Sequence, residues 1–290
     1  MDYGLAAKQG LPLELKIAMT EMRIREWYTR WNGKVYVSFS GGRDSTVLLH
    51  IARKVIPGIQ AVFSDTGLEY PEVRDFVSTI SNVTIIRPEK SFLAVVNDEG
   101  YPVITKEQAQ YIREYRTTES EHLRNYRWNG KGNARRSGKI SERWKYLINA
   151  PFKISERCCD HLKKRPFHRF NKMTGMKPII GIMAGDSSHR HQSAGKYGCI
   201  YDKPGFESLR PMIFWTDADV ADYIRVNKLP ISSIYTHGYN HTGCMFCGFG
   251  AHMNTVNKFE MMRSTHPDLY RYCMDIIGMG EVLDYCGIRR

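Results

Sequence analysis

The sequence predicts an α/β fold: an open, mostly parallel sheet flanked by helices and interrupted by a basic helical or loop insertion. Three observations predict it. Short apolar runs alternate with helix-length amphipathic segments from residue 34 onward, the order that βαβ units require. A Ser/Gly-rich turn joins the first apolar run to the helix after it. Residues 105–170 then carry 17 Lys/Arg against 7 Asp/Glu, a composition foreign to a buried sheet.

Taken in order, residues 12–31 read as a helix with Leu13, Ile17, Met22, Ile24 and Trp27 as apolar positions. A strand over 34–39 leads through the turn "SFSGGRDST" into a helix over about 45–54. A second strand, "GIQAVFSD", ends at Asp65; "TGLEYPEVRDFVSTI" reads as a turn and helix; "VTIIRP" is a third strand. After the basic region, "KPIIGIM" is another buried strand. "TDADVADYIRVN" is a helix with Thr216 as its cap and Asp219 in its first turn. Within the insertion, "RNYRWNGKGNARRSGKI" is poor in apolar residues and reads as a mobile loop or lid. The expected division is an N-terminal helical segment (1–33), a nucleotide domain (34–250) containing the insertion at about 105–157, and a C-terminal helical tail (251–290).

Composition narrows the chemistry. The chain has 290 residues, is 42% hydrophobic and has a formal charge of +12, which suits an anionic partner such as a nucleotide, a sulfate-like anion or a nucleic acid. No stretch is apolar enough to span a membrane, and the first residues lack the basic-then-apolar order of a signal peptide, so a cytoplasmic location is expected. Seven cysteines, two of them adjacent and two in a Cys-x2-Cys pair, suit metal or redox chemistry better than a disulfide framework.

The turn after the first strand is the clearest chemical signal. Gly41 and Gly42 permit close backbone approach to an anion, Ser40, Ser45 and Thr46 offer hydroxyls, and the following helix adds N–H groups and a favourable dipole. The pattern is neither a Walker loop nor a dinucleotide fingerprint. Asp44 could hold Mg²⁺ or position a phosphate-bound ion. An ordinary Ser/Gly turn entering a helix is the alternative.

"SFSGGRDSTVLLHIA" resembles the pyrophosphatase loop of the adenine nucleotide α-hydrolase-like superfamily, "VFSDTGLEYPEVRDFV" a landmark of its phosphoadenosine-phosphosulfate reductase branch, and "RPMIFWTDADVADYIRVNKLPISSIY" that branch's Trp-Thr-x-x-Asp-Val segment. The resemblance implies an adenine nucleotide held over a parallel sheet, with Ser38, Ser40, Gly41, Gly42, Asp44, Ser45, Asp65 and Thr66 around it. "GIMAGDSSHRHQSA" resembles the family's Gly-x-Arg-x-x-x-Ser-x-x-Arg element. Gly181, Ser187 and Arg190 are retained, but Met183 stands where the first arginine is usual. Arg190 could pair with phosphate or sulfate. Arg210 is a further candidate contact, or else a solvated charge at a strand edge.

Cys158, Cys159, Cys244 and Cys247 could supply four thiolates to zinc or to a [4Fe–4S] cluster. Successive helical residues point about 100° apart. The adjacent pair therefore needs an irregular or terminal backbone to share one centre. The arrangement is similar to that of iron–sulfur adenylyl-sulfate reductases, which implies a [4Fe–4S] cluster on these four residues. Lys163, Lys164 and Arg165 would offset thiolate charge and attract an anionic substrate.

Three functions compete. The intact loop favours an enzyme that splits ATP·Mg²⁺ to AMP and pyrophosphate, adenylylates an acceptor and transfers sulfur from a donor with help from the cluster. The cysteines favour a thiol-dependent reductase that takes electrons from a donor and releases sulfite from adenylyl sulfate or phosphoadenylyl sulfate. Its nucleophile would be Cys286 in "DYCGIRR", a partial match to the reductases' C-terminal motif. The third reading is a non-enzymatic nucleotide- and cluster-binding regulator. A nucleic-acid substrate would suit the basic insertion, where Tyr111, Tyr115, Tyr126 and Trp128 could stack on bases or anchor a helical insert.

Overall fold

A computed structural model describes residues 3–130, 138–253 and 256–290. The chain divides into two compact units. The first holds the residues up to Asp65, Glu69–Arg87 and Pro166–Thr242; the second holds Thr66–Leu68, the described residues of Pro88–Arg165, and Gly243–Arg290.

The first unit is built on a six-stranded sheet in the order β3-β2-β1-β5-β7-β6. Its strands are β1 (Val35–Phe39), β2 (Ala61–Ser64), β3 (Val83–Ile86), β5 (Lys177–Ile180), β6 (Ile200–Tyr201) and β7 (Ser208–Leu209). Every pairing is parallel except that of β6 with β7. β1 is central, with Val37 opposite Ala61 of β2 on one side and Ile179 of β5 on the other. Val35, Val37, Phe39, Ala61, Phe63 and Ile179 are buried, as strands covered on both faces must be. Chain order reverses direction at β1, so the crevice beyond its carboxyl end is the topological switch point of the sheet.

The helix Leu13–Arg30 turns a stripe of Lys16, Thr20, Ile24 and Trp27 inward. Met22, expected on its apolar face, is 47% exposed. Lys16 is buried because its ammonium meets Asp219 at 2.6 Å. Asp219 in turn completes a capping box with Thr216 at the start of the helix Asp217–Asn227, as the sequence predicts.

In the second unit β4 (Val103–Ile104) pairs in parallel with β8 (Gly248–Phe249). The helices Lys106–Thr117 and Glu121–Asn129 form a hairpin. The stretch predicted as a loop from Arg124 is thus helical as far as Asn129; residues 131–137 of that prediction lie outside the described residues. Arg127 explains the local order: it bonds Glu114 at 2.7 Å and stacks on Tyr111 and Tyr126. Tyr115 packs on Trp128, which Lys145 covers at 4.1 Å. These aromatics anchor the insert. No described helix is long and apolar enough to cross a membrane.

Candidate functional site

The Ser/Gly turn leaves β1 at the switch point. Gly41 has φ +72°, and an added Cβ would stand 2.8 Å from Val73 Cγ1 and 2.9 Å from Val77 Cγ2, so the chain can pass here only without a side chain. The turn then closes on itself. Ser40 N–H donates to Ser45 Oγ at 3.2 Å, Gly42 N–H donates to Ser40 Oγ at 3.3 Å, and the hydroxyls of Ser45 and Thr46 both donate to the Gly42 carbonyl. The helix Arg43–Val55 starts directly after Gly42.

The first-turn N–H groups of a helix have no intrahelical acceptor. Arg43 N–H donates to the Tyr235 hydroxyl at 2.9 Å, and the Arg43 guanidinium lies 4.7 Å above that ring and donates to the Asn240 carbonyl. The N–H groups of Gly41, Asp44 and Ser45 carry no protein partner among the described residues. Three free amides at a helix start form an anion-accepting cradle. Tyr235 and Asn240 were not singled out in the sequence, although Tyr235 ends the Trp-Thr-x-x-Asp-Val segment; aromatic and amide residues in loops carry no spacing signal.

Asp44 faces the same crevice. Burial pushes its carboxyl up, and Asp186 and Asp217 push it further, against Arg43 and His241. Gly181 directly follows β5 beside it, where a Cβ would stand 3.2 Å from the Asp44 carbonyl oxygen. Ser187 caps the helix Ser188–Tyr197 by accepting from Arg190 N–H at 3.2 Å, and Arg190 pairs with Asp186. Met183, in the place of the usual arginine, is 2% exposed and belongs to the core. Ser38 lies within β1, opposite Val62 and Ile180. Asp65 follows β2 and is paired with Arg87 at 3.2 Å and Arg74 at 3.5 Å. Thr66 is buried, and its hydroxyl accepts from Leu68 N–H. Arg210 is not solvated at a strand edge: it is buried, donating to Ser193 Oγ and the Gly198 carbonyl, while its Nε has no partner.

In the second unit a single extended segment brings the two cysteine pairs together. Tyr101 forms an isolated parallel bridge with the segment running into the adjacent pair: its N–H donates to the Lys153 carbonyl and its carbonyl accepts from Ser155 N–H. Val103 and Ile104 pair with Gly248 and Phe249, immediately after Cys247. Cys158 and Cys159 lie in the first turn of a helix that becomes a π-helical turn at Asp160–Lys164. This is the terminal, irregular backbone that the adjacent pair needs, and π-turns recur at functional sites. A hydrogen bond with Cys159, burial and the proximity of the other three cysteines all push the Cys158 thiol up. The same hydrogen bond pulls the Cys159 thiol down; burial opposes this, while Lys106 and Lys163 assist it. Lys106, whose charge helps lower the Cys159 thiol, lies 5.9 Å from the Phe249 ring. Ile104, two residues earlier, is a buried β-branched residue at φ +62°, a strained position of the kind that clusters near functional sites. Four thiols in mutual electrostatic range, two ammonium groups beside them and an irregular helix start fit a metal or iron–sulfur group.

Cys286 is 3% exposed, and burial pushes its thiol up to about 12. Its described surroundings are those of a core residue.

The family model of the phosphoadenosine phosphosulfate reductase domain matches residues 34–130 and 127–248. The chain belongs to that family. Among relatives of this family member, a protein of Methanocaldococcus jannaschii named only as uncharacterized is 24% identical over 267 residues, covering 88% of the chain but 51% of its own length. A second from that organism is 24% identical over 245 residues, with 40% of its length covered. The chain therefore spans about half or less of these two curated relatives. Adenosine 5′-phosphosulfate reductase 2 of Bacillus subtilis is 24% identical over 234 residues, with 78% of each chain covered. The crystal structure of phosphoadenylyl-sulfate reductase from Candida auris covers 77% of this chain and 87% of its own, at 17% identity and a TM-score of 0.46, too loose to add to the fold argument.

Proposed function

We propose that the protein is a nucleotide-dependent enzyme of sulfur metabolism that splits ATP between its α and β phosphates and adenylylates an acceptor for sulfur transfer. The observation that carries this reading is the pairing of a free-amide cradle with a carboxylate set. Asp44 is half-buried, and its carboxyl is pushed up first by desolvation and then by Asp186 and Asp217. Such a crevice repels a bare anion and favours one that arrives with a divalent cation, as a triphosphate does.

In this reading Gly41, Asp44 and Ser45 N–H hold the departing pyrophosphate. An acceptor oxygen attacks the α-phosphorus, the bond to the bridging oxygen breaks, and the loop amides stabilise the charge gathering on that oxygen. Arg43, fixed by Tyr235 and Asn240, keeps the helix start in place. Ser38, Asp65, Thr66, Gly181, Ser187, Arg190 and Arg210 are proposed to complete the nucleotide surroundings. Cys158, Cys159, Cys244 and Cys247 are proposed to hold a [4Fe–4S] cluster, which when bound supplies an electron- and sulfur-handling centre. Lys106 and Lys163 balance the thiolate charge there.

The names of relatives such as the Bacillus subtilis reductase favour a second reading, reductive release of sulfite from adenylyl sulfate or phosphoadenylyl sulfate. The buried Met183 and the carboxylates around Asp44 weigh against a sulfate group in this crevice. Anaerobically reconstituted protein offered ATP·Mg²⁺, adenylyl sulfate and its 3′-phosphorylated form in turn separates the two. Pyrophosphate release from ATP is expected. Sulfite release with a thiol reductant, and none of pyrophosphate, would replace the first reading by the second.

A further inference from the structure

The second unit carries an open, solvent-facing pocket of about 410 Å³, with Arg116, Lys153 and Arg157 exposed, that neither the loop nor the cysteine chemistry uses. Its walls include Asp98 and Glu99, which end the helix Phe92–Glu99, Arg113 and Arg116 on one face of the helix Lys106–Thr117, and Lys153 and Arg157 on the segment that leads to Cys158.

The charges do not cancel. Arg113 is matched by Glu156 through two bonds of 3.0 and 2.7 Å. Asp98 is matched by Lys90 at 2.6 Å, and Arg157 by Glu99 at 3.3 Å. Arg116 and Lys153 hydrogen-bond only main-chain carbonyls: Arg116 Nη1 donates to Phe152 at 2.7 Å, and Lys153 Nζ donates to Asp98 at 3.0 Å and Asn97 at 3.4 Å, while the Asp98 carboxylate, already bonded by Lys90, also feels the Lys153 charge. Neither forms an ion pair among the described residues. The carbonyl bonds orient both cations without neutralising them, so much of the ordering cost of binding an anion is already met. The last-turn carbonyls around Lys153 offset about half a charge at most. Two oriented cations on the wall of one concavity suit an anion of about two charges with several acceptor oxygens.

We propose that this pocket is a second anion site, distinct from the Gly41–Ser45 cradle, and that it takes a phosphate group through Arg116 and Lys153. A phosphate monoester carries about −1.5 to −2 at neutral pH and presents three acceptor oxygens, matching the surplus. A carboxylate carries half that charge. The phosphate belongs either to a small monoester or to a nucleic-acid strand, and the site does not depend on which nucleotide the loop accepts.

The test is calorimetric titration of the full chain with inorganic phosphate, ribose 5-phosphate and a short single-stranded oligonucleotide, each repeated on R116Q/K153Q. Circular dichroism checks the fold, and R116K/K153R keeps both charges. Each charge-assisted bond contributes about 1.5–3 kcal/mol, so R116Q/K153Q is expected to weaken phosphate binding at this site by more than tenfold, with binding restored in R116K/K153R. G41A, which alters the loop cradle but neither Arg116 nor Lys153, is expected to keep it while circular dichroism shows it folded. Competition by ribose 5-phosphate alone assigns the site to a small ligand. Competition by the oligonucleotide, with a salt dependence whose log–log slope falls by about 1.4 in R116Q/K153Q, assigns it to a strand backbone. Phosphate binding that is the same in the parent and in R116Q/K153Q overturns the proposal.

Discussion

Replacing Gly41 by alanine tests the loop most directly. The residue sits at φ +72°, where an L side chain costs about 1–2 kcal/mol. The new methyl would also stand 2.8 Å from Val73 Cγ1 and 2.9 Å from Val77 Cγ2, both on the helix Pro71–Ser78. Overpacking of this kind costs about 1–3 kcal/mol, so G41A is expected to lose about 2–5 kcal/mol in urea denaturation. The two contributions can be separated. V73A removes one of the two clashing groups, so the double variant G41A/V73A should be more stable than the sum of the single changes predicts by roughly half the overpacking cost, about 0.5–1.5 kcal/mol. The backbone part, about 1–2 kcal/mol, and the Val77 contact should remain. ATP binding should weaken in G41A more than in V73A, because only the former moves the free amides. If G41A lies within about 0.5 kcal/mol of the parent, or if the double variant shows no coupling, the loop is not held by this close approach and the cradle argument fails.

Three further outcomes follow from the same geometry. K16M removes the buried partner of Asp219 and should destabilise by about 3–5 kcal/mol at neutral pH. Burial raises the Asp219 carboxyl, but Lys16 and Thr216 outweigh it and hold the group below its ordinary value. That stability is present above the unfolded carboxylate range and lost as pH falls through the folded value; urea titrations at pH 6 and pH 3 should therefore show the gap between parent and K16M narrowing at the lower pH. K106M should lower iron retention against a chelator by about tenfold or more, measured as iron per chain after anaerobic reconstitution, while C159S should lose iron outright. Unchanged retention in K106M would remove Lys106 from the cysteine centre. Because burial holds the Cys286 thiol near 12, alkylation of the native protein at neutral pH should leave Cys286 unmodified by mass spectrometry, and C286A should keep pyrophosphate release from ATP. Rapid labelling of Cys286 would show that the tail opens.

What the sequence made legible is what periodicity and local chemistry encode. β1, β2 and β5 are mostly buried runs such as "VYVSF" and "AVFS", and their apolar continuity is visible in one dimension, as is that of the edge strand β3, although its Ile85 is 53% exposed. The Thr216–Asp219 box is equally local. Met22 misled because the inward stripe of its helix is partly polar: Lys16 and Thr20 occupy it, each buried by a distant partner, Asp219 and the indole of Trp215. Arg210 misled for the same reason. Its burial depends on Ser193 and the Gly198 carbonyl, which only the folded sheet edge brings within reach.

The cysteine centre shows where a one-dimensional reading stops. Spacing identified four thiols, but not the element that joins them, a strand of two residues, Val103–Ile104, too short to leave a period. That strand ends in a β-branched residue at φ +62°, a conformation no propensity scale would assign to isoleucine. The strain follows from two demands on one short segment. Ile104 must pair with Phe249 after Cys247, and its carbonyl must accept from Gly250 N–H at 2.7 Å. One residue later Thr105 must already cap the helix whose first residue, Lys106, brings its charge to bear on the Cys159 thiol. The chain has to turn from strand to helix within a single residue, and the positive φ accomplishes that turn. A glycine would take it without strain, but the site is fully buried, and isoleucine fills space that glycine would leave empty. The isoleucine keeps both the packing and the turn, and the turn is what sets Lys106 where its charge lowers the Cys159 thiol.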